Sequence, residues 1–251
     1  MKSALVAAGL ALLLVQPQSS DQDRTETIAG PDGAQRSYRI FVPASAARHE
    51  RAPAVVLYNG SGSRVDGLWS VWTTIARREG VILLGPTAFA AGAWRIPEDS
   101  PDFTRDVVEA AKTRVAIDAR RVYLFGHSGG GHHVLQLGLL ESEYFAGVAA
   151  HAGALIPSFF PAIEKAPRKI PIALWIGTDD QVVPIKFVRD TYDALLEQSF
   201  PAKLTELKRH THSFAERGNE VVEKAWEFLA KFRLPRDPVY QPYRFGRNGI
   251  N

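Results

Sequence analysis

The chain is 251 residues long and 45% hydrophobic, with a formal net charge of +3 and no cysteine. That length and apolar content suit one α/β domain with a sizeable core. The absence of cysteine excludes a disulfide framework, a thiol nucleophile and a cysteine-ligated metal, and the interspersed charges exclude a nucleic-acid-binding stripe.

Residues 1–20 differ in character from the rest. Lys2 gives a positive start, Ala4 to Val15 is an unbroken apolar run, and Gln16-Pro17-Gln18-Ser19-Ser20 ends it. The run is shorter than the ~20 residues that cross a bilayer, so a cleaved secretory signal peptide is expected, with an uncleaved amphiphilic terminus as the alternative. No Ala-x-Ala marks a cleavage site. A secreted or periplasmic protein without stable membrane insertion follows from that reading.

Residues 21–233 carry the pattern of one folded domain. Thr25 to Ala29 and Arg36 to Val42 read as two strands around the turn Gly30-Pro31-Asp32-Gly33. Ala54 to Tyr58 is a strand, Leu68 to Arg78 a helix with apolar residues at helical spacing, and Val81 to Leu84 a short buried strand. A helix from Pro101 to about Val115 follows, with Ser100 as N-cap and Pro101 at the first helical position. Arg121 to Phe125 reads as a strand that runs into a helix opening at Gly131. Further strands are expected at Phe145 to Ala150, Ile172 to Ile176 and Lys203 to Lys208, with helices from Ile185 to about Glu197 and from Glu216 to Phe232. Near-continuous apolar strands alternating with helices imply a mostly parallel sheet covered on both faces. The tail 234–251, rich in Pro, Arg and Tyr, is either a surface strap or a disordered end.

The most informative stretch is Gly126-His127-Ser128-Gly129-Gly130, a Gly-x-Ser-x-Gly pattern between a strand and a helix. In that context it reads as a nucleophile elbow, a turn so tight that only small neighbours fit around the serine. No Gly-Lys-Ser/Thr follows, so a phosphate-binding loop is excluded. A serine hydroxyl needs an imidazole to take its proton, and the imidazole needs a carboxylate to hold its tautomer. Two later loops supply both types. Asp179 and Asp180 follow the Ile172 strand, and His210 and His212 follow the Lys203 strand. Asp180 is favoured because it leaves Asp179 free to cap the turn. His212 is favoured because Ser213-Phe214-Ala215-Glu216 reads as a capping box that would hold it better than His210. The oxyanion hole is expected from the amide of Gly129 and one from the loop Tyr58-Asn59-Gly60-Ser61-Gly62-Ser63, with Ser61 as the second donor. Asn59-Gly60-Ser61 is also a glycosylation sequon, which a site beside the reaction centre rules out as a modified one.

These motifs resemble the α/β-hydrolase superfamily over about Ser37 to Phe232. Within it they resemble the secreted esterases that include polyhydroxybutyrate depolymerases and feruloyl or acetylxylan esterases. The resemblance rests on Gly126 to Gly130, on Gly177-Thr178-Asp179-Asp180-Gln181-Val182-Val183-Pro184, and on His212-Ser213-Phe214. In that group the acid stands four residues before the proline, which is Asp180 here. Asn59-Gly60 departs from the usual His-Gly of the oxyanion loop. The resemblance implies an α/β-hydrolase fold and hydrolysis of small or polymeric carboxylic esters through an acyl-serine, with no cofactor and no metal. A peptidase, thioesterase or acyltransferase on the same scaffold is the alternative, as is a binding module that kept the elbow.

His127, His132, His133 and His151 lack a His-Glu-x-x-His pattern and read as packing or supporting groups. Trp94, in the long loop from Pro86 to Ser100, and Phe159 with Phe160 are candidates for an acyl or aromatic pocket, with plain packing as the alternative. The short insertion between Ala152 and Lys169 argues against a large lid. Nothing in the sequence sets the oligomeric state.

Overall fold

The computed structural model describes residues 20–30, 33–62, 66–90 and 92–239. The expected signal peptide, parts of the Gly30 to Gly33 turn, Ser63 and the tail beyond residue 239 lie outside the described residues.

Eight strands form one sheet: β1 (Gln22–Ala29), β2 (Gln35–Val42), β3 (Ala52–Tyr58), β4 (Ile82–Pro86), β5 (Ile117–His127), β6 (Gly147–His151), β7 (Ile172–Gly177) and β8 (Ala202–Leu207). Their spatial order is β1-β2-β4-β3-β5-β6-β7-β8. β1 and β2 form an antiparallel pair, and β2 lies antiparallel to β4. The other neighbours run parallel. The helices are α1 (Asp66–Glu79), α2 (Pro101–Lys112), α3 (Gly129–Leu140), the short α4 (Pro161–Lys165), α5 (Ile185–Glu197) and α6 (Phe214–Leu229). This is the expected α/β-hydrolase architecture.

The central strands are apolar throughout because both of their faces are covered. Along β3, Ala54, Val56 and Tyr58 join the core under α2, α3 and α5, while Val55 and Leu57 join the core under α1 and α6. β5 and β7 divide in the same way, Leu124 and Leu174 to one side, Phe125 and Trp175 to the other. The period-2 alternation of a strand thus feeds two apolar layers instead of one apolar and one wet face. β1 and β8 close the sheet's two edges and keep exposed positions.

Some local expectations differ. Ser100 stands at the N-cap of α2, but its side chain makes no cap hydrogen bond and donates to Asp102 Oδ1 instead. Helix α2 ends at Lys112, and Thr113 to Val115 turn back onto its last carbonyls. Two 3₁₀ turns, Ala44–Arg48 and Pro157–Phe159, and α4 were missed, being too short to show a period. The start of the tail is an ordered strap, in which Leu234 is buried and exchanges hydrogen bonds with Arg120.

The long loop between β4 and α2 is tied down by one buried ion pair. Arg36 of β2 donates to Asp99 Oδ1 at 2.5 Å and to the carbonyls of Thr87 and Glu98. Asp99 in turn accepts the amides of Phe89 and Arg95. A buried pair of this kind is costly to break, by about 3–5 kcal/mol, because the surviving charge stays uncompensated.

Candidate active site

The carboxyl ends of β5, β7 and β8 bring the sequence-selected groups together. Ser128 lies between β5 and α3 with φ 54° and ψ −119°, a strained conformation for a residue with a Cβ. Its neighbours show why the motif needs glycine. A methyl on Gly126 would strike the Gly130 carbonyl, and one on Gly130 would strike the Tyr58 carbonyl. The turn is closed by Ser128 N donating to the His151 carbonyl and His132 N donating to the Ser128 carbonyl, both at 2.9 Å.

His212 Nε2 stands 2.9 Å from Ser128 Oγ, and His212 Nδ1 stands 2.8 Å from Asp180 Oδ2. The Asp180 side chain is fully buried, and that of His212 is 22% exposed. Asp180 Oδ1 accepts the amides of Val182 and Val183, each at 2.9 Å. Here one expectation is corrected: the turn is capped by Asp180 itself and not by Asp179. Two oxygens suffice for both duties, and Asp179 Oδ1 accepts only from the adjacent Thr178 hydroxyl.

The acid loop and the histidine loop are stitched to each other by the main chain. Thr178 N donates to Leu207 O, Asp179 N to His210 O, and Arg209 N to Thr178 Oγ1. Gly177 is required at this crossing, because a side chain there would overlap the His210 carbonyl. Arg209 adopts φ 55°, the turn that sends His210 and His212 different ways.

The expected capping box at Ser213 does not form. Ser213 is the N-cap of α6 without a side-chain bond, and Glu216 reaches past it to Thr211, whose hydroxyl donates to Oε1 at 2.8 Å. The ground for preferring His212 is also corrected: His210 is the better buried of the two, at 1% exposure. It differs in direction, since its Nε2 stands 3.1 Å from His151 Nε2, well away from Ser128. His127, immediately before Ser128, completes a row, with its Nδ1 2.9 Å from His151 Nδ1. Burial lowers the His127 pKa to about 4, the charge on His212 adding to the effect, and burial likewise pushes His151 well below the ordinary histidine value.

The loop expected to supply the second oxyanion donor lies against the elbow: a Cβ added to Gly129 would sit 3.1 Å from the Ser61 amide nitrogen. Asn59 Nδ2 donates to the Gly60 carbonyl at 3.1 Å. The loop's other support was not foreseen. Trp94 Nε1 donates to the Asn59 carbonyl at 2.8 Å, and its ring packs on Tyr58 and His133. Trp94 therefore braces the loop from behind, and Phe159 and Phe160 pack against the core beside α4. Burial lowers the His133 pKa to about 3 and raises that of Tyr58, so this brace stays uncharged at neutral pH. Among the described residues no group of His, Asp or Glu side chains has the arrangement of a metal site.

The phospholipase/carboxylesterase family profile matches residues 96–232, which include the elbow, the acid loop and the histidine loop. The chain belongs to the phospholipase/carboxylesterase family. Two curated proteins show where this family member has relatives. NocK of Nocardia uniformis subsp. tsuyamanensis, named as an esterase, is 31% identical over 165 residues, which covers 61% of this chain and 47% of that protein. A poly(3-hydroxybutyrate) depolymerase of Ralstonia pickettii is 29% identical over 160 residues, covering 52% of this chain and 32% of that protein. The chain thus spans less than half the length of either relative. Among solved structures, an S-formylglutathione hydrolase from Agrobacterium tumefaciens superposes with a TM-score of 0.68 at 16% identity, covering 86% of this chain and 96% of that one. At that identity the likeness concerns the fold.

Proposed function

We propose that the protein hydrolyses carboxylic esters through an acyl-serine intermediate. The observation that carries this reading is the unbroken line Asp180–His212–Ser128, ending on a hydroxyl held in a strained elbow. Ser128 Oγ attacks the ester carbonyl carbon while His212 Nε2 takes its proton. Asp180 holds Nδ1–H and stabilises the imidazolium that forms. The amides of Gly129 and Ser61 receive the oxyanion of the tetrahedral intermediate, whose collapse expels the alcohol with the proton from His212. Water then attacks the acyl-serine, His212 again carries the proton, and the carboxylic acid leaves.

The substrate class proposed is a small or an extended, accessible ester. His212 opens to solvent, and only a 3₁₀ turn and the five-residue α4 lie between β6 and β7 on that side. The names of the relatives, an esterase and a polyester depolymerase, support an ester over an amide. The test pairs intact-mass labelling by a fluorophosphonate with turnover of an ester series against an amide control. One covalent adduct on the chain with ester turnover is expected. Amide turnover matching that of the esters would move the protein to the peptidases, and failure to label would refute the serine mechanism. Export is proposed on residues 1–20 alone. It is tested by the N-terminal sequence of the protein recovered from its native host, where an intact Met1 would count against it.

A further inference from the structure

The proposed chemistry uses one histidine of the site and leaves three others, His127, His151 and His210, in a row beneath it. His127 Nδ1 meets His151 Nδ1 at 2.9 Å, and His151 Nε2 meets His210 Nε2 at 3.1 Å. The row ends on a carboxylate: His210 Nδ1 lies 3.2 Å from Glu216 Oε2, at an angle short of an aligned hydrogen bond. His151 and His210 are buried, so no bulk water competes for these nitrogens.

A neutral imidazole carries one N–H and one lone pair, and its two nitrogens are distinct. An ionised carboxylate only accepts. Glu216 is held in that form, because the Thr211 hydroxyl bonded to it lowers its pKa. Starting from Glu216, the protons are therefore assigned in sequence. His210 has Nδ1–H and a bare Nε2, His151 has Nε2–H and a bare Nδ1, and His127 has Nδ1–H and a bare Nε2. Three protons serve three contacts with none left over. The reverse order would set the His210 lone pair against the Glu216 charge. An extra proton on His151 or His210 would place two N–H groups face to face, whereas one on His127 would go to its bare Nε2, outside the row's contacts.

The far end of the row matters because His127 packs on His212, the proposed base. Its ring centroid is 5.1 Å from that of His212 and 5.3 Å from that of Phe214. A cation at His127 would oppose the charge that His212 takes up when it accepts the Ser128 proton. Burial already disfavours that cation. We infer that Glu216 is a positioning residue: through His210 and His151 it sets the tautomer of His127, and so fixes the ring that packs behind His212. The kinetic half of this inference rests on the proposed serine chemistry, whereas the tautomer order does not.

The test uses the full chain labelled with ¹⁵N-histidine and reads each ring by long-range ¹H–¹⁵N correlation at neutral pH, with kcat and KM measured alongside. Nδ1–H is expected at His127 and His210, and Nε2–H at His151. Glu216→Gln keeps a carbonyl acceptor, and is expected to keep that order with kcat within about twofold of wild type. Glu216→Ala is expected to mix or reverse it, with kcat falling on the order of tenfold at unchanged KM. Thr211→Val removes the hydroxyl that donates to Glu216 and accepts the Ser213 amide, keeps the Thr211 amide beside Glu216, and is expected to leave the tautomers and kcat in place. Wild-type rings in the reverse order, or an unchanged order in Glu216→Ala, would overturn the inference. So would a Thr211→Val variant that reproduces the kcat loss with unchanged tautomers, since Glu216 would then act only by anchoring its loop. The expected tautomers in a protein that neither labels with a fluorophosphonate nor turns over esters would instead overturn the serine reading, and the kinetic half with it.

Discussion

Two histidine environments share the loop that follows β8. At the mouth, His212 is 22% exposed, pairs with Asp180 and reaches Ser128. Beneath it, His210 is 1% exposed and continues a closed row through His151 to His127. The residues are two positions apart and of one type, so the difference comes entirely from direction. At the mouth the ring meets the Ser128 hydroxyl and solvent. Burial in the row penalises the charged form, as the lowered pKa of His127 and His151 shows. One environment suits turnover and the other suits permanence.

The sharpest way to break this contrast is at the mouth. Ser128→Ala is expected to lower kcat by roughly four to six orders of magnitude, because members of such a triad act as a unit. It should also abolish fluorophosphonate labelling while leaving thermal stability nearly unchanged. Labelling that persists in this variant would show that another hydroxyl is the nucleophile.

Next come the paired loops. Asp180→Asn is expected to cost about 10⁴-fold in kcat by disturbing the His212 tautomer, against little change in Asp179→Asn. His212→Ala should be similarly inactive. His210→Ala should instead retain turnover to within on the order of tenfold, and lose about 2–5 kcal/mol of stability from the buried void and the orphaned His151 nitrogen. Urea unfolding beside kinetics separates the two, and a stable but inactive His210→Ala would erase the contrast.

A smaller effect is expected at the oxyanion loop. Removing a donor outright costs about 2.7–4 kcal/mol, but Asn59→Ala and Trp94→Phe each delete only one support. Each is expected to reduce kcat tenfold to a hundredfold with little change in KM, somewhat less than the loss of a donor. If both variants turn over at the wild-type rate, the Ser61 amide is not the second donor.

The last effect is read in stability instead of turnover, as a function of pH. Unfolded histidines bind a proton below their ordinary pKa of 6.5, whereas folded His127 does so only near pH 4 and His133 near pH 3. Their contribution is therefore complete above about pH 6.5 and is lost as pH falls toward those values, at up to ~1.4 kcal/mol per pH unit per ring. Unfolding free energies measured from pH 7 to pH 4 should show this slope, and His133→Phe should flatten it. An equal slope in that variant would mean that the ring is protonated in the folded state.

Much of this was legible in the chain. The elbow is contiguous, and its strand, glycines and helix all lie within Ile117 to Leu140, so spacing alone selected Ser128 and Gly129. The parallel sheet was legible because strands buried on both faces read as unbroken apolar runs. The order of acid and base loops narrowed the partners to two aspartates and two histidines. Within each pair one ground fails even though the selected residue joins the line to Ser128. Asp180 caps its own turn, and His210 is the better held histidine.

What only the tertiary structure decided are the relations between segments far apart in the chain. Whether His210 or His212 faces Ser128 depends on the left-handed turn at Arg209 and on the crossing at Gly177, where two loops far apart in sequence share main-chain hydrogen bonds. The role of Trp94 depends on Asp99 and Arg36, which are 63 residues apart and hold its loop over Asn59. The histidine row draws His127, His151 and His210 from three separate strand ends. Local propensity and spacing fix residues that are neighbours in sequence. Direction at a site is set by long-range hydrogen bonds and burial, which no window of sequence contains.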